Sequence, residues 1–137
     1  MSTQKISSVK IPSFDKNNYN LWKRKMLLFI KAANPLFPGF LKNGPFVPQT
    51  FVPEATINGE LILAHNIPKK ISEYTEAEKE KVALDDCLQL IIIESLDNDM
   101  HKSIVTRETA KEIWEIIELL YEGTTEVKKN QRQILVS

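Results

Sequence analysis

The stretch NYNLWKRKMLLFIKAA, Asn18 to Ala33, sets Trp22 beside three consecutive basic residues and then runs almost wholly apolar. At about 100° per residue, Tyr19, Trp22, Met26, Phe29, Ile30 and Ala33 fall in one arc, the spacing of an amphipathic helix with Trp22 turned inward. Leu21, Leu28 and Ala32 form a second apolar strip and leave a narrow band around Arg24 and Lys31 for water, so this helix is expected to be buried on two sides. A membrane-surface helix needs a wide charged face, which is the reverse of what is written here. Lys and Arg stems can also cover apolar surface with no lipid present. Base stacking needs an exposed aromatic, which argues against nucleic-acid binding by this helix alone.

Outward from that helix, the chain has the length of one domain: 137 residues can bury a real core. With 42% hydrophobic and 26% charged residues it reads as an ordinary globular protein. No run of eighteen apolar residues is present and MSTQKISSVKIPSF lacks the apolar core of a secretory signal, so an intracellular, cytoplasmic protein is expected. The single cysteine, Cys87, cannot form an internal disulfide and reads as a small buried apolar side chain. The zero net charge hides an uneven distribution. Residues 1 to 42 carry eight basic side chains against Asp15 alone, a net of +7, whereas residues 71 to 122 carry five basic against fourteen acidic, a net of −9. Such asymmetry fits a match between packed helices of one chain, or a head-to-tail match between copies. It lacks the strong basic excess of a nucleic-acid-binding domain.

The fold class expected is mainly α, a single small domain of about four helices with a long Pro/Gly-rich excursion between helices 1 and 2. Asn17 or Asn18 caps the first helix, and Pro35 ends it near Asn34. Residues 35–74 then hold six of the seven prolines and three of the four glycines, a loop-rich excursion too long to be a plain connection. Within it, Asn58-Gly59 in TINGELIL is the turn signal of a short β-hairpin. Thr75 with Glu78 makes a capping box for a second helix reaching about Leu96, with Val82, Leu84, Leu88, Ile91 and Ile92 on its inner face. A short helical turn is expected around His101 to Val105. Thr109 with Glu112 opens a third helix on which Ala110, Ile113, Trp114, Ile117, Leu120 and Tyr121 recur at helical spacing, while Lys111, Glu115, Glu118 and Glu122 line a wet face. Gly123 is a left-handed stop, and Thr124 or Thr125 caps a fourth helix, EVKKNQRQILVS. That helix is still gaining Ile134, Leu135 and Val136 where the sequence stops, so a domain incomplete at its C-terminus is expected, with residues 1–11 as a flexible arm.

The residue inventory argues against catalysis. One cysteine and two separated histidines, His65 and His101, do not make a metal site. Cys87 beside Asp85 and Asp86 is poorly placed to be a thiolate nucleophile. Gly-rich phosphate loops, nucleophile elbows and dinucleotide fingerprints are missing. Asp97 and Asp99 read as a cap and a solvated charge. A non-enzymatic protein with no catalytic, cofactor-binding or metal residues and no small-molecule substrate is expected.

Two stretches resemble a known pattern. NYNLWKRKMLLFI is similar to N-Y-x-x-W-x-x-x-M-x-x-F, and TAKEIWEIIELLYEGTTEVKK to T-A-K-E-x-W…Y-E-G-T-x-x-V-K, both of the Gag polypeptide of copia-type LTR retrotransposons. NGPFVP, SEYTEAEKEKVALDD and the SL that ends the second helix fall in the matching order, so the resemblance runs from about Ile11 to Gln131. It implies a mainly helical N-terminal capsid-like domain whose copies assemble around the element's RNA. The motif positions are Tyr19, Trp22, Met26, Thr109, Ala110, Trp114, Tyr121, Gly123, Thr124, Val127 and Lys128, core and capping residues rather than catalytic ones. The chain departs from the pattern at Tyr74, where relatives often carry Trp, at Cys87, often Ala, and at Gln131, often Lys. The zinc knuckle that binds RNA in full-length relatives is also missing.

Three functions follow as expectations. The first is a Gag-like structural unit that self-associates with copies of itself or with the remainder of a polyprotein, using the proline-rich excursion, the basic band of Arg24 and Lys31 and the apolar end of the fourth helix. The second is a helical adaptor that takes a protein or peptide in a groove formed by the loop from Pro35 to Ile71. The third is weak RNA binding through Lys128, Lys129 and Arg132 with Lys69 and Lys70, steeply lost with salt.

Overall fold

The apolar arc of the opening stretch becomes helix α1, Tyr19–Ala33, entered through a single 3-10 turn, Lys16–Asn18. The computed structural model describes residues 10–123. The fourth helix, with Thr124, Val127, Lys128, Lys129 and Arg132, lies outside the described residues, as does most of the N-terminal arm. Asp15, not Asn17 or Asn18, supplies the entry cap: its carboxylate accepts from the Asn17 N–H at 3.0 Å, and Asn18 makes no side-chain capping bond. Pro35 has the expected effect, with Asn34 extended and accepting no further helical turn.

Helix α2, Phe37–Asn43, follows at once. The density of Pro and Gly around it hides a helix with Pro38 in its first turn, where a missing N–H costs nothing, and a stop at Gly44 with φ of 91°. Its Phe37, Phe40 and Leu41 are buried in the core, so the start of the expected excursion is part of the helical body.

Four short strands come next: β1 Gln49–Val52, β2 Ala55–Ile57, β3 Glu60–Ile62 and β4 His65–Pro68. β1 pairs antiparallel with β4 and β2 with β3. The two ladders share one register, with Gln49 opposite Pro68 and Ile57 opposite Glu60, so they form one long ribbon interrupted at Pro53, which has no N–H for a ladder bond. The tip turns through Asn58 and Gly59, φ 53° and 78°, both left-handed as a tight hairpin requires. Its base is fastened by Lys69: the backbone N–H donates to the Pro48 carbonyl at 2.8 Å and the ammonium donates to Glu78 at 2.8 Å.

Helix α3, Glu76–Ser95, carries the complete capping box expected of Thr75 and Glu78. It buries Leu88 and Ile92, with Leu84 and Ile91 packed at the margin. Helix α4, Asn98–Ile104, starts earlier than expected because Asp97 caps it, accepting from the Met100 N–H at 2.9 Å. Helix α5, Ala110–Glu122, ends at Gly123 with φ of 77°. Its capping box is divided: Thr109 Oγ1 accepts from the Glu112 N–H, but the Glu112 carboxylate reaches the Glu108 N–H instead of returning to Thr109. The core lies where α1, α2, α3 and α5 meet and is closed by Met100 and Ile104 of α4. The architecture is mainly helical with two small antiparallel sheets.

Candidate functional site

Two distant stretches of the sequence meet at the core's edge. Trp22 stacks on Trp114 with ring centroids 5.7 Å apart, and Tyr19 stacks on Tyr121 at 5.3 Å. Phe14 sets its edge against both Trp22 and Tyr121, at 4.9 and 5.0 Å. Met26 and Ala110 are fully buried beside them. Tyr19, Trp22, Trp114 and Tyr121, residues that carry the resemblance, are therefore one packing unit, while Thr109 and Gly123 bound the helix that supplies two of them. Edge-to-face and offset stacks of this kind add about 0.5–1.5 kcal/mol per pair beyond burial.

Polar groups fasten the unit. Trp22 Nε1 donates to Ser95 Oγ at 2.8 Å, Ser95 Oγ donates to the Pro12 carbonyl at 2.6 Å, and the Phe14 N–H donates to the Ser95 carbonyl at 2.8 Å. The segment from Pro12 to Phe14 is thereby held on the end of α3, with Ile11 packed against the core. Across the other side, Lys23 bridges Glu118 at 2.9 Å and Glu122, and the Tyr19 hydroxyl donates to Glu122. Glu118 and Glu122 are thus drawn into the α1–α5 contact and do not line a wet face. Burial pushes the Tyr19 phenol well above its ordinary value, reinforced by the hydrogen bond to Glu122 and its charge. For Lys23 burial pulls downward, but the bonds to Glu122 and Glu118 outweigh it and the ammonium is held above 10.5.

Ser95 and Asp85 fall within the SL and SEYTEAEKEKVALDD stretches of the resemblance, but sequence reasoning gave neither a structural role. Asp85 is buried, with one carboxylate oxygen accepting from Gln89 at 2.9 Å and from the Ala110 N–H at 3.3 Å. Its carboxyl group thus takes up one of the backbone N–H groups that the first turn of α5 leaves without a helical partner. The signal that could have assigned such a role is helical phase, which puts Asp85, Leu88, Ile92 and Ser95 on one face.

The outer surface departs most from expectation. Leu21, Leu28 and Ala32 face solvent, with Leu28 58% exposed, so α1 is buried on one side only. The second strip was read as core because leucines usually find cover, but the single core of this small body is filled from the Tyr19–Ile30 side. Along this strip runs a groove of about 560 Å³, walled by Leu21, Trp22, Leu28 and Phe29 and edged by Lys10, Lys25 and Asp15. A second hollow of about 350 Å³, lined by Arg24, Leu27 and Lys31 among others, lies on the far side of Leu28. Arg24, Lys25 and Lys31 are exposed and have no ion-pair partner among the described residues. Leu120 and Cys87, expected in the core, are also exposed. The helix-period argument placed Leu120 one position beyond the arc that α5 buries; Cys87 lies on the outer face of α3, off the Leu88–Ile92 seam.

The ribbon is another bare surface. Phe51, Ile57, Leu61, Leu63 and Ile67 are exposed, Phe51 by 64% and Leu61 by 58%. Glu54 and Glu60 are the charged residues from Gln49 to Pro68, with no Lys or Arg among them. Among the described residues no group of three His, Cys, Asp or Glu side chains could hold a metal ion, and no helix is long and apolar enough to cross a membrane. His101 donates from Nε2 to the Ile93 carbonyl at 3.0 Å and acts as a packing residue. Comparison with protein-family models, with curated proteins and with solved structures gives no match.

Proposed function

We propose that this chain is a non-enzymatic assembly unit, an N-terminal capsid-like domain of the Gag type found in copia-type LTR retrotransposons, acting by self-association. The observation that carries the reading is the surface: an apolar strip on α1 flanked by Arg24, Lys25 and Lys31, and an apolar ribbon bearing only acidic charge. Exposed apolar area of this extent, rimmed by charge, is what protein contact surfaces present. The convergence of Tyr19, Trp22, Trp114 and Tyr121 into one packing unit supports the resemblance, because it gives the two sequence patterns a shared physical reason.

Light scattering of the purified chain across a hundredfold concentration range, at low and high salt, tests the proposal. Growth into large species that salt weakens is the expected result, since exposed charge pairs are screened within about 8–10 Å at physiological ionic strength. A monomer under every condition rejects it and favours an adaptor reading, with the α1 groove, and not the Pro35 to Ile71 segment first expected, as the specific observation. RNA binding has less support, because Lys69 is already engaged by Glu78.

A further inference from the structure

We infer that the α1 groove of one copy receives the ribbon of a second copy, a head-to-tail contact that names the surfaces used in the self-association proposed above and rests on it. The ribbon is apolar at its tip, through Ile57, Leu61, Ile62 and Leu63, and carries Glu54 and Glu60 with no Lys or Arg. The groove is apolar at its floor, through Leu21, Leu28 and Phe29, and its border is basic on balance, with Lys10 and Lys25 against Asp15 and with Arg24 and Lys31 just beyond Leu28. Apolar meets apolar and acidic meets basic. Among the described residues neither surface is covered: the tip residues and Leu28 remain exposed after the helical body has packed.

A second copy is the occupant these features select. The chain divides its charge so that the donor surface and the acceptor surface are opposite in sign, which makes it complementary to itself. The ribbon also has the needed reach. Two strands of about ten residues at about 3.3 Å per residue carry the tip roughly 30 Å from its base. Because donor and acceptor are different patches, the contact is heterologous and each added copy presents a fresh ribbon and a fresh groove.

The test uses two variants at exposed positions, Leu28→Glu in the groove and Leu61→Ser on the ribbon, with near-UV circular dichroism confirming that the aromatic cluster is intact. Leu28→Gln replaces the first if the charge disturbs α1. Each variant alone is expected to need at least tenfold more protein than the parent chain to assemble. Mixed in equal amounts, they should form a two-chain complex and stop there, because the ribbon of Leu28→Glu fits the groove of Leu61→Ser and the remaining pair of surfaces is disabled. Variants that assemble like the parent chain overturn this contact while leaving self-association intact. Weakened variants that fail to pair with each other overturn the head-to-tail geometry. A parent chain that stays monomeric throughout overturns both the contact and the reading beneath it, and gives the groove to a foreign partner.

Discussion

Ser95 shows how much a single small side chain can hold together. Its hydroxyl accepts from the buried indole N–H of Trp22 and donates to the Pro12 carbonyl, while its backbone carbonyl takes the Phe14 N–H. Replacing it with alanine removes no appreciable volume but leaves a buried donor without an acceptor. The expected cost is about 1–3 kcal/mol, read as a lower midpoint in urea with an unchanged slope. A change in the near-UV band of Trp22 should accompany it, since the indole loses its anchor. An unchanged midpoint would mean that water replaces the hydroxyl and that the arm is held by Ile11 and Phe14 packing alone.

At the level of elements, the ribbon is the piece most separable from the rest. Asn58 and Gly59 both take left-handed backbone angles, and a β-branched residue at Gly59 would be strained there even though nothing crowds its Cβ position. Gly59→Val is expected to raise amide exchange through β2 and β3 while leaving that of α1, α3 and α5 unchanged; exchange that rises everywhere would show the ribbon to be integral to the body. Elements differed in how legible they were. The Thr75–Glu78 capping box, the Thr109 cap, the α1 boundaries, the Asn58-Gly59 turn and the Gly123 stop could be read because each is set by residues within four positions of one another. Helix α2 could not, since Phe37, Phe40 and Leu41 hold it by long-range burial while Pro38 and Gly39 argue locally against it. The exposure of Leu21 and Leu28 was equally hidden. Periodicity identifies an apolar face, but only the finished packing shows whether another element remains to cover it.

Over the whole molecule, α1 and α5 are joined by the aromatic cluster and by the Tyr19–Glu122–Lys23–Glu118 contact, and both titratable donors there respond to alkali in the same direction. Tyr19 is held neutral in the folded chain above its ordinary value of 10.0, and Lys23 is held charged above 10.5. Each therefore contributes stability that is complete below its unfolded value and is lost as pH rises from there toward the folded value. The melting temperature should hold level to about pH 10 and fall beyond it, and Tyr19→Phe combined with Lys23→Met should flatten that fall; an equal decline in the double variant would place the alkaline sensitivity elsewhere. The same joining of α1 to α5 has a consequence for synthesis on the ribosome. The Tyr19–Glu122 hydrogen bond spans 103 positions of sequence. At roughly 5–20 residues per second, α1 waits on the order of ten seconds for its partner helix to be made. Throughout that interval both of its apolar sides are open, so the nascent chain needs shelter from its neighbours on the same message until Trp114 has emerged.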